Sequence, residues 1–347
     1  MTPSTTLQAD IRNPRVTAVS LVVSWLYPQV TVRGTVEGCD GVDDEGHDRG
    51  RGGDPTGLDA LECPGVEADP RGSMSNGDDR SVGEHYGRAD LSARILEALR
   101  TVDRAQDALT PKDLAPVDQF HTQGRKATLD LARLAGIAPG MRVLDAGGGL
   151  GGPARTLASE LGCTVEVLDL TEEFCRAGEM LTALTGLGDL VSFRHANALD
   201  MPYPDASFDV VWTQHSSMNV ADKETLYRET RRVLRPGGRL ALHEILAGAV
   251  SPIHLPVLWA REPSISHLEP PEKIRALIST TGFTELAWVD ETASATEWFR
   301  RRAPATAPPP LGIHLLLGEG TGEVFLNQER NLQEGRIYVC KAVFERS

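Results

Sequence analysis

The sequence predicts an α/β fold in which a parallel sheet carries crossover helices on both faces. Two observations predict it. Short β-branched runs alternate with helical stretches along most of the second two thirds of the chain. One of those runs opens directly into a glycine-rich turn that starts a helix, reading RVLDAGGGLGGP from Arg142 to Pro153.

In chain order, Leu91, Ile95, Leu96 and Leu99 fall along one helical face, and Ala127 to Ala135 forms a second helical run that ends at Gly136. The strands follow as Val143 to Asp145, Val165 to Asp169, Leu190 to Phe193, Phe208 to Trp212 and Leu240 to His243. Pro153 suits the first turn of a helix, Gly162 can end that helix, and Thr171 can cap the helix that starts at Glu172. A further helix starts near Pro271, and the run Pro304 to Pro310 reads as a connector.

Composition narrows the function. The chain has 347 residues, and 35 Lys plus Arg against 49 Asp plus Glu leave a net charge of −14, which argues against a nucleic-acid-binding surface. Hydrophobic residues make up 40% and charged residues 24%, enough apolar material for a sizeable core. The five cysteines are scattered without a C-x-x-C pair, so neither a disulfide framework nor a zinc site is suggested. Val16 to Val32 is interrupted by Thr17, Ser20, Ser24, Pro28 and Gln29, short of the roughly 18 apolar residues of a spanning helix. Asp10 spoils a basic leader, so no signal peptide and no membrane insertion are expected and the protein reads as cytoplasmic. Residues 37–80 lack Phe, Tyr and Trp and are crowded with Gly and Asp, so residues 1–80 are expected to form a disordered leader. Within them, residues 1–36 could hold a stray helix or strand.

The glycine turn is the most informative stretch, because an adenosine-containing ligand binds there in an open α/β sheet. Asp169, 24 residues after Asp145, ends the next strand, where its carboxylate can accept from both ribose hydroxyls. Gly147, Gly149 and Gly152 satisfy G-x-G-x-x-G, so a nicotinamide-dependent oxidoreductase is one reading. Asp145 favours another. An anion inside the turn would repel a pyrophosphate and attract the ammonium of a methionine moiety, pointing to S-adenosylmethionine.

The ordered segments LDAGGGLGG (Leu144 to Gly152), VLDLT (Val167 to Thr171), MPYPDASFDVVWTQ (Met201 to Gln214) and RVLRPGGRLALHE (Arg232 to Glu244) together resemble a class I S-adenosylmethionine-dependent methyltransferase. The similarity is to the small-molecule branch (type 11) that holds sarcosine/dimethylglycine N-methyltransferases and quinone-pathway C-methyltransferases. The resemblance implies a Rossmann-like, seven-stranded, mostly parallel sheet whose last strand, Arg336 to Val343, runs antiparallel. It also implies a methyltransferase domain over residues 81–347, with a core at 136–246, a helical cap at 81–135 and an acceptor-covering insertion at 246–270.

Carried over by position, the resemblance places Asp145, Gly147, Gly148, Gly149 and Gly151 at the methionine end of the cofactor. Asp169 and Leu170 fall at the ribose and adenine, and Asn197 and Ala198 at the adenine edge. Asn197 stands where Asp is usual, and Asn219 where a His is common. Gln214 follows the fourth strand at the cofactor's methionine part or the acceptor.

Methyl transfer is an in-line displacement that needs alignment and exclusion of water and requires no metal. His215 and His243 end strands at the functional rim. His215 is the candidate positioner or base, with a histidine that only supports the fold as the alternative. Tyr86, Phe120 and His121 can close the site from the cap. In the insertion, Trp259 and Arg261, with His254 and His267 nearby, are acceptor candidates, and Arg261 would suit a carboxylate such as that of an N-methylated glycine. The expected activity is methyl transfer from S-adenosylmethionine to a small molecule, possible acceptors including an amine such as sarcosine or dimethylglycine. A non-catalytic S-adenosylmethionine-binding protein is the alternative, with the nicotinamide oxidoreductase behind it; N-, O- and C-methylation all stay open.

Overall fold

The computed structural model describes residues 90–102, 109–301, 309–318 and 320–347, together with the backbone of two short segments near the start. The chain divides into two units, residues 1–74 and 75–347. In the first, Leu7–Gln8 pairs in parallel with Val32–Arg33. The expected disorder of residues 37–80, the position of Tyr86 and most of the Pro304 to Pro310 connector lie outside the described residues.

The second unit is built on a seven-stranded sheet: β1 (Arg142–Ala146), β2 (Thr164–Asp169), β3 (Val191–His195), β4 (Phe208–Gln214), β5 (Leu234–Ala247), β6 (Phe283–Asp290) and β7 (Ile337–Arg346). Their spatial order is β3-β2-β1-β4-β5-β7-β6. The first five pair in parallel, and β7 runs antiparallel to both β5 and β6. The antiparallel last strand is therefore where the resemblance puts it. Strand order reverses between β1 and β4, and the loops after these two strands diverge to opposite faces, opening a crevice at their carboxyl ends.

Alternation along the strands fills a core on each face. Leu144, Val211, Leu240 and Leu242 pack with Leu226 and Tyr227 of α6 (Lys223–Val233) and Ile274 and Ile278 of α7 (Pro271–Thr280). Val143, Val165, Val210 and Trp212 face the other way, onto Leu131 of α3 (Gly124–Leu134) and Leu157 of α4 (Gly152–Leu161). Each of these apolar side chains contributes about 1.5–3 kcal/mol by leaving water.

Pro153 sits in the first turn of α4 and Gly162 closes it with a left-handed φ of 68°, as the sequence suggests. Thr171 occupies the N-cap position of α5 (Glu172–Leu184), but its side chain makes no capping bond. Its backbone N–H instead donates to Asp169 Oδ1 at 2.9 Å.

Ahead of the sheet, α1 (Leu91–Thr101) and α2 (Pro111–Asp118) pack on α5 through Leu91, Ile95, Leu114, Phe174 and Leu181, joined by Leu315 and Leu316 of the short α9 (His314–Leu317). A buried ion pair locks this cap to the glycine turn. Arg155 of α4 reaches Asp118 at 2.8 Å and also donates to the Leu150 carbonyl at 2.6 Å. The segment 246–270 packs Val257, Leu258, Trp259 and Ile265 against α8 (Thr292–Arg300) and α10 (Thr321–Gln333).

Candidate active site

A cleft open at its mouth occupies the crevice at the carboxyl ends of β1, β2 and β4. One end is the glycine turn. Gly147 N–H donates to the Leu168 carbonyl at 2.7 Å, drawing the turn over the end of β2. A Cβ on Gly148 would lie 2.7 Å from the Asp145 carboxyl carbon, so that carboxyl sits directly beneath the backbone of the turn. Gly151 holds a φ of 73°, and a Cβ there would meet the Phe193 ring at 2.6 Å. It shapes the start of α4 without lining the cleft.

Asp145 lines the cleft at 1% exposure, and neither of its carboxylate oxygens has a partner. Burial, with the Asp169 charge adding to it, pushes its pKa up to about 8. An unpaired buried carboxylate is costly, and a cation delivered into the cleft would offset that cost. Asp169 is arranged differently. Its Oδ2 accepts from Gly149 N–H at 2.8 Å and its Oδ1 from Thr171 N–H, which fixes the carboxylate at the edge of the cleft. Burial raises its pKa, and those two backbone donors work against the rise. Leu170, Asn197 and Ala198 continue the wall beyond it. Asn197 Oδ1 accepts from Leu199 N–H at 2.8 Å, closing a local turn.

The far end is built around histidines. Gln214, at the end of β4, accepts at Oε1 from the Trp212 indole N–H and from the Thr128 hydroxyl, both at 3.0 Å. The indole can only donate, so Oε1 faces Trp212, and the amide nitrogen faces His243 Nδ1 at 3.3 Å. His243 Nδ1 is thereby an acceptor, and its proton resides on Nε2. His121, on the turn before α3, places Nε2 3.0 Å from the Gly124 carbonyl and 3.1 Å from Thr128 Oγ1. A carbonyl only accepts, so the His121 proton is also on Nε2, and Nδ1 carries the lone pair.

His215 follows β4 with a left-handed φ of 53°, a strained conformation for a non-glycine residue that recurs at functional sites. Its backbone N–H donates to the His243 carbonyl at 2.8 Å. The His215 and His243 ring centroids are 4.6 Å apart, and His121 stands 6.2 Å from His215. Burial lowers the pKa of all three, that of His121 to about 4. The cluster is therefore neutral at pH 7.

Of the positions singled out in the sequence, Asp145, Gly147 to Gly149, Asp169, Leu170, Asn197, Ala198, Gln214 and His215 share this cleft, with Phe120, His121 and Asn219. His243 is fully buried behind it. Trp259 and Arg261 do not line it: the Trp259 indole donates to Ser266 Oγ at 2.9 Å, and Arg261 donates to the Leu317 carbonyl at 2.9 Å. The segment 246–270 supplies no lining residue; Asn219 ties it to the site by donating to the Trp259 and Ile265 carbonyls, each at 2.8 Å. Cover comes instead from Val117, Phe120 and His121 of the cap and from Leu316 of α9. Sequence reasoning missed Leu316, because α9 lies far along the chain and carries no motif. It also missed Thr128, whose DQFHTQGRKAT context places a hydroxyl on the buried face of α3.

A family model described as a methyltransferase domain matches residues 144–242, from β1 to β5. The methyltransferase GfsG of Streptomyces halstedii is 31% identical over 244 residues, covering 70% of this chain and 84% of that one. The sarcosine/dimethylglycine N-methyltransferase of Halorhodospira halochloris is 34% identical over 161 residues, and the match spans 45% of this chain and 56% of that enzyme. Among solved structures, the geranyl diphosphate C-methyltransferase of Streptomyces coelicolor A3(2) superposes with a TM-score of 0.58 at 18% identity, covering 79% of this chain and 99% of that one, which shows the shared fold. These matches decide against a nicotinamide oxidoreductase: the chain belongs to the class I S-adenosylmethionine-dependent methyltransferases, in the branch that acts on small molecules.

Proposed function

We propose that the cleft holds S-adenosylmethionine with its methionine end over Asp145 and the Gly147 to Gly149 turn, its ribose at Asp169 and its adenine between Leu170 and the Asn197–Ala198 backbone. The acceptor then occupies the histidine end. The observation that carries this reading is the Asp145 carboxylate, buried, unpartnered and lining the cleft. The chemistry fits, because the cofactor is cationic at both its ammonium and its sulfonium, and a low-dielectric wall strengthens the attraction. When bound, the cofactor supplies an electrophilic methyl group.

The chain's own residues bind, orient and exclude water. Backbone donors fix Asp169 so that its remaining lone pairs can accept from ribose hydroxyls. Phe120, Leu316 and Val117 close the cap over the reacting centre and keep water from competing as nucleophile. His215, held in its strained turn, meets the acceptor as positioner or base.

Mass spectrometry of protein incubated with methyl-deuterated S-adenosylmethionine, a mixed set of amines and phenols and a small-molecule extract tests the activity. The expected result is a labelled product formed in step with S-adenosylhomocysteine. Cofactor binding without any labelled product would instead favour the non-catalytic reading.

A further inference from the structure

The charge inventory of the acceptor end is unusual for a site meant to hold a charged metabolite. No Lys or Arg lines the cleft among the described residues. Each lining carboxylate has a task elsewhere: Asp145 and Asp169 face the cofactor end, Asp118 is paired with Arg155, and Asp222 accepts from Thr225 N–H at 2.9 Å to cap α6. Val117, Phe120, Val220 and Leu316 supply apolar wall to the cleft, and the polar lining beside the histidines, Thr213, Gln214, Ser216 and Asn219, is uncharged. An acceptor bearing a carboxylate, a phosphate or an ammonium would lose its hydration there without gaining a counter-charge.

What the cavity does offer is basic nitrogen. His215 Nε2 is buried without a partner, and the Gly124 carbonyl fixes His121 so that Nδ1 keeps its lone pair. The two ring centroids stand 6.2 Å apart and both residues line the cleft, which brings the two imidazoles to one acceptor group.

We propose that the acceptor is an uncharged, largely apolar molecule methylated at a hydroxyl group, that His121 Nδ1 accepts the hydroxyl's hydrogen bond and then its proton, and that His215, as its Nε2–H tautomer, donates to the same oxygen and positions it. This rests on the cofactor placement proposed above. As the hydroxyl oxygen donates a lone pair to the methyl carbon, the C–S bond breaks and its electron pair stays on sulfur. The O–H becomes strongly acidic while the new C–O bond forms, so even a weakly basic neutral imidazole accepts the proton. The imidazolium then releases it to solvent, leaving a methyl ether and S-adenosylhomocysteine.

The test uses the full chain saturated with S-adenosylhomocysteine and three naphthalene probes of one ring size: 2-naphthol, 2-naphthoate and 2-naphthylmethylammonium, each titrated by calorimetry. The expected result is binding of 2-naphthol at least about tenfold tighter than either ion. His121→Asn should lower the 2-naphthol affinity about fivefold, the worth of one hydrogen bond, with S-adenosylhomocysteine affinity unchanged. Equal or tighter binding of either ion, or no 2-naphthol binding to the loaded protein, would overturn the proposal. Failure of S-adenosylhomocysteine itself to bind folded protein would overturn the cofactor placement instead, so the two failures are distinguishable.

Discussion

In the proposed cofactor placement binding turns on Asp145, whose environment dictates a pH dependence. In the free protein its carboxyl titrates near pH 8, so at lower pH the ligand-free site is mostly protonated. A cationic ligand prefers the ionised form and must release a proton to bind below that pH. Affinity for S-adenosylmethionine is therefore expected to rise about tenfold per unit from pH 6 toward 8 and then level off. Asp145→Asn should flatten this profile in calorimetric titrations and weaken binding at pH 8 by at least about tenfold. His215→Ala should cost turnover about a hundredfold or more with cofactor affinity intact, a split between kcat and Kd that full retained activity would refute. The place of Asp145 in the cleft is legible in the sequence because a strand end that opens into a glycine turn lies at the crevice of an open α/β sheet. The direction of a side chain from an irregular segment is not legible. Trp259 and Arg261 fall in the right part of the chain, yet the packing of 246–270 on α8 and α10 points them elsewhere.

Among the elements, β1, β2, β4 and β5 announce themselves because interior strands covered on both faces read as largely apolar runs. Edge strand β6 does not. It pairs only with β7, is interrupted by a bulge between Glu285 and Ala287, and leaves Leu286 49% exposed, so its alternation is broken. Helices α8 to α10 likewise lack a motif and take their place from the apolar cluster they complete. The joint between cap and sheet core gives a sharp prediction. Asp118→Ala would strand the fully buried Arg155 charge, so urea unfolding should show a loss of about 3–5 kcal/mol, whereas a surface-type effect under 1 kcal/mol would show that the pair is dispensable. Leu240→Ala, in the interior strand β5, should cost about 2–5 kcal/mol by leaving a cavity between β5 and its helical layer.

At the scale of the whole molecule, the sheet order fixes where the ligand goes before any side chain is considered. The reversal between β1 and β4 opens the crevice, the glycine turn floors it, and the cap and α9 roof it. The aromatic-free composition of residues 37–80 leaves little to bury. Removing residues 1–74 is therefore expected to leave melting temperature and cofactor affinity unchanged, and a fall of several degrees would assign that unit a stabilising role. We propose that S-adenosylmethionine binds at the Asp145 end of this crevice. Calorimetry at pH 6, 7 and 8 in buffers of different ionisation heat tests it most directly. One-to-one saturable binding is expected, with a proton released below pH 8, a release that disappears in Asp145→Asn. No binding by folded protein, or binding whose strength and proton release the substitution leaves unchanged, would contradict it.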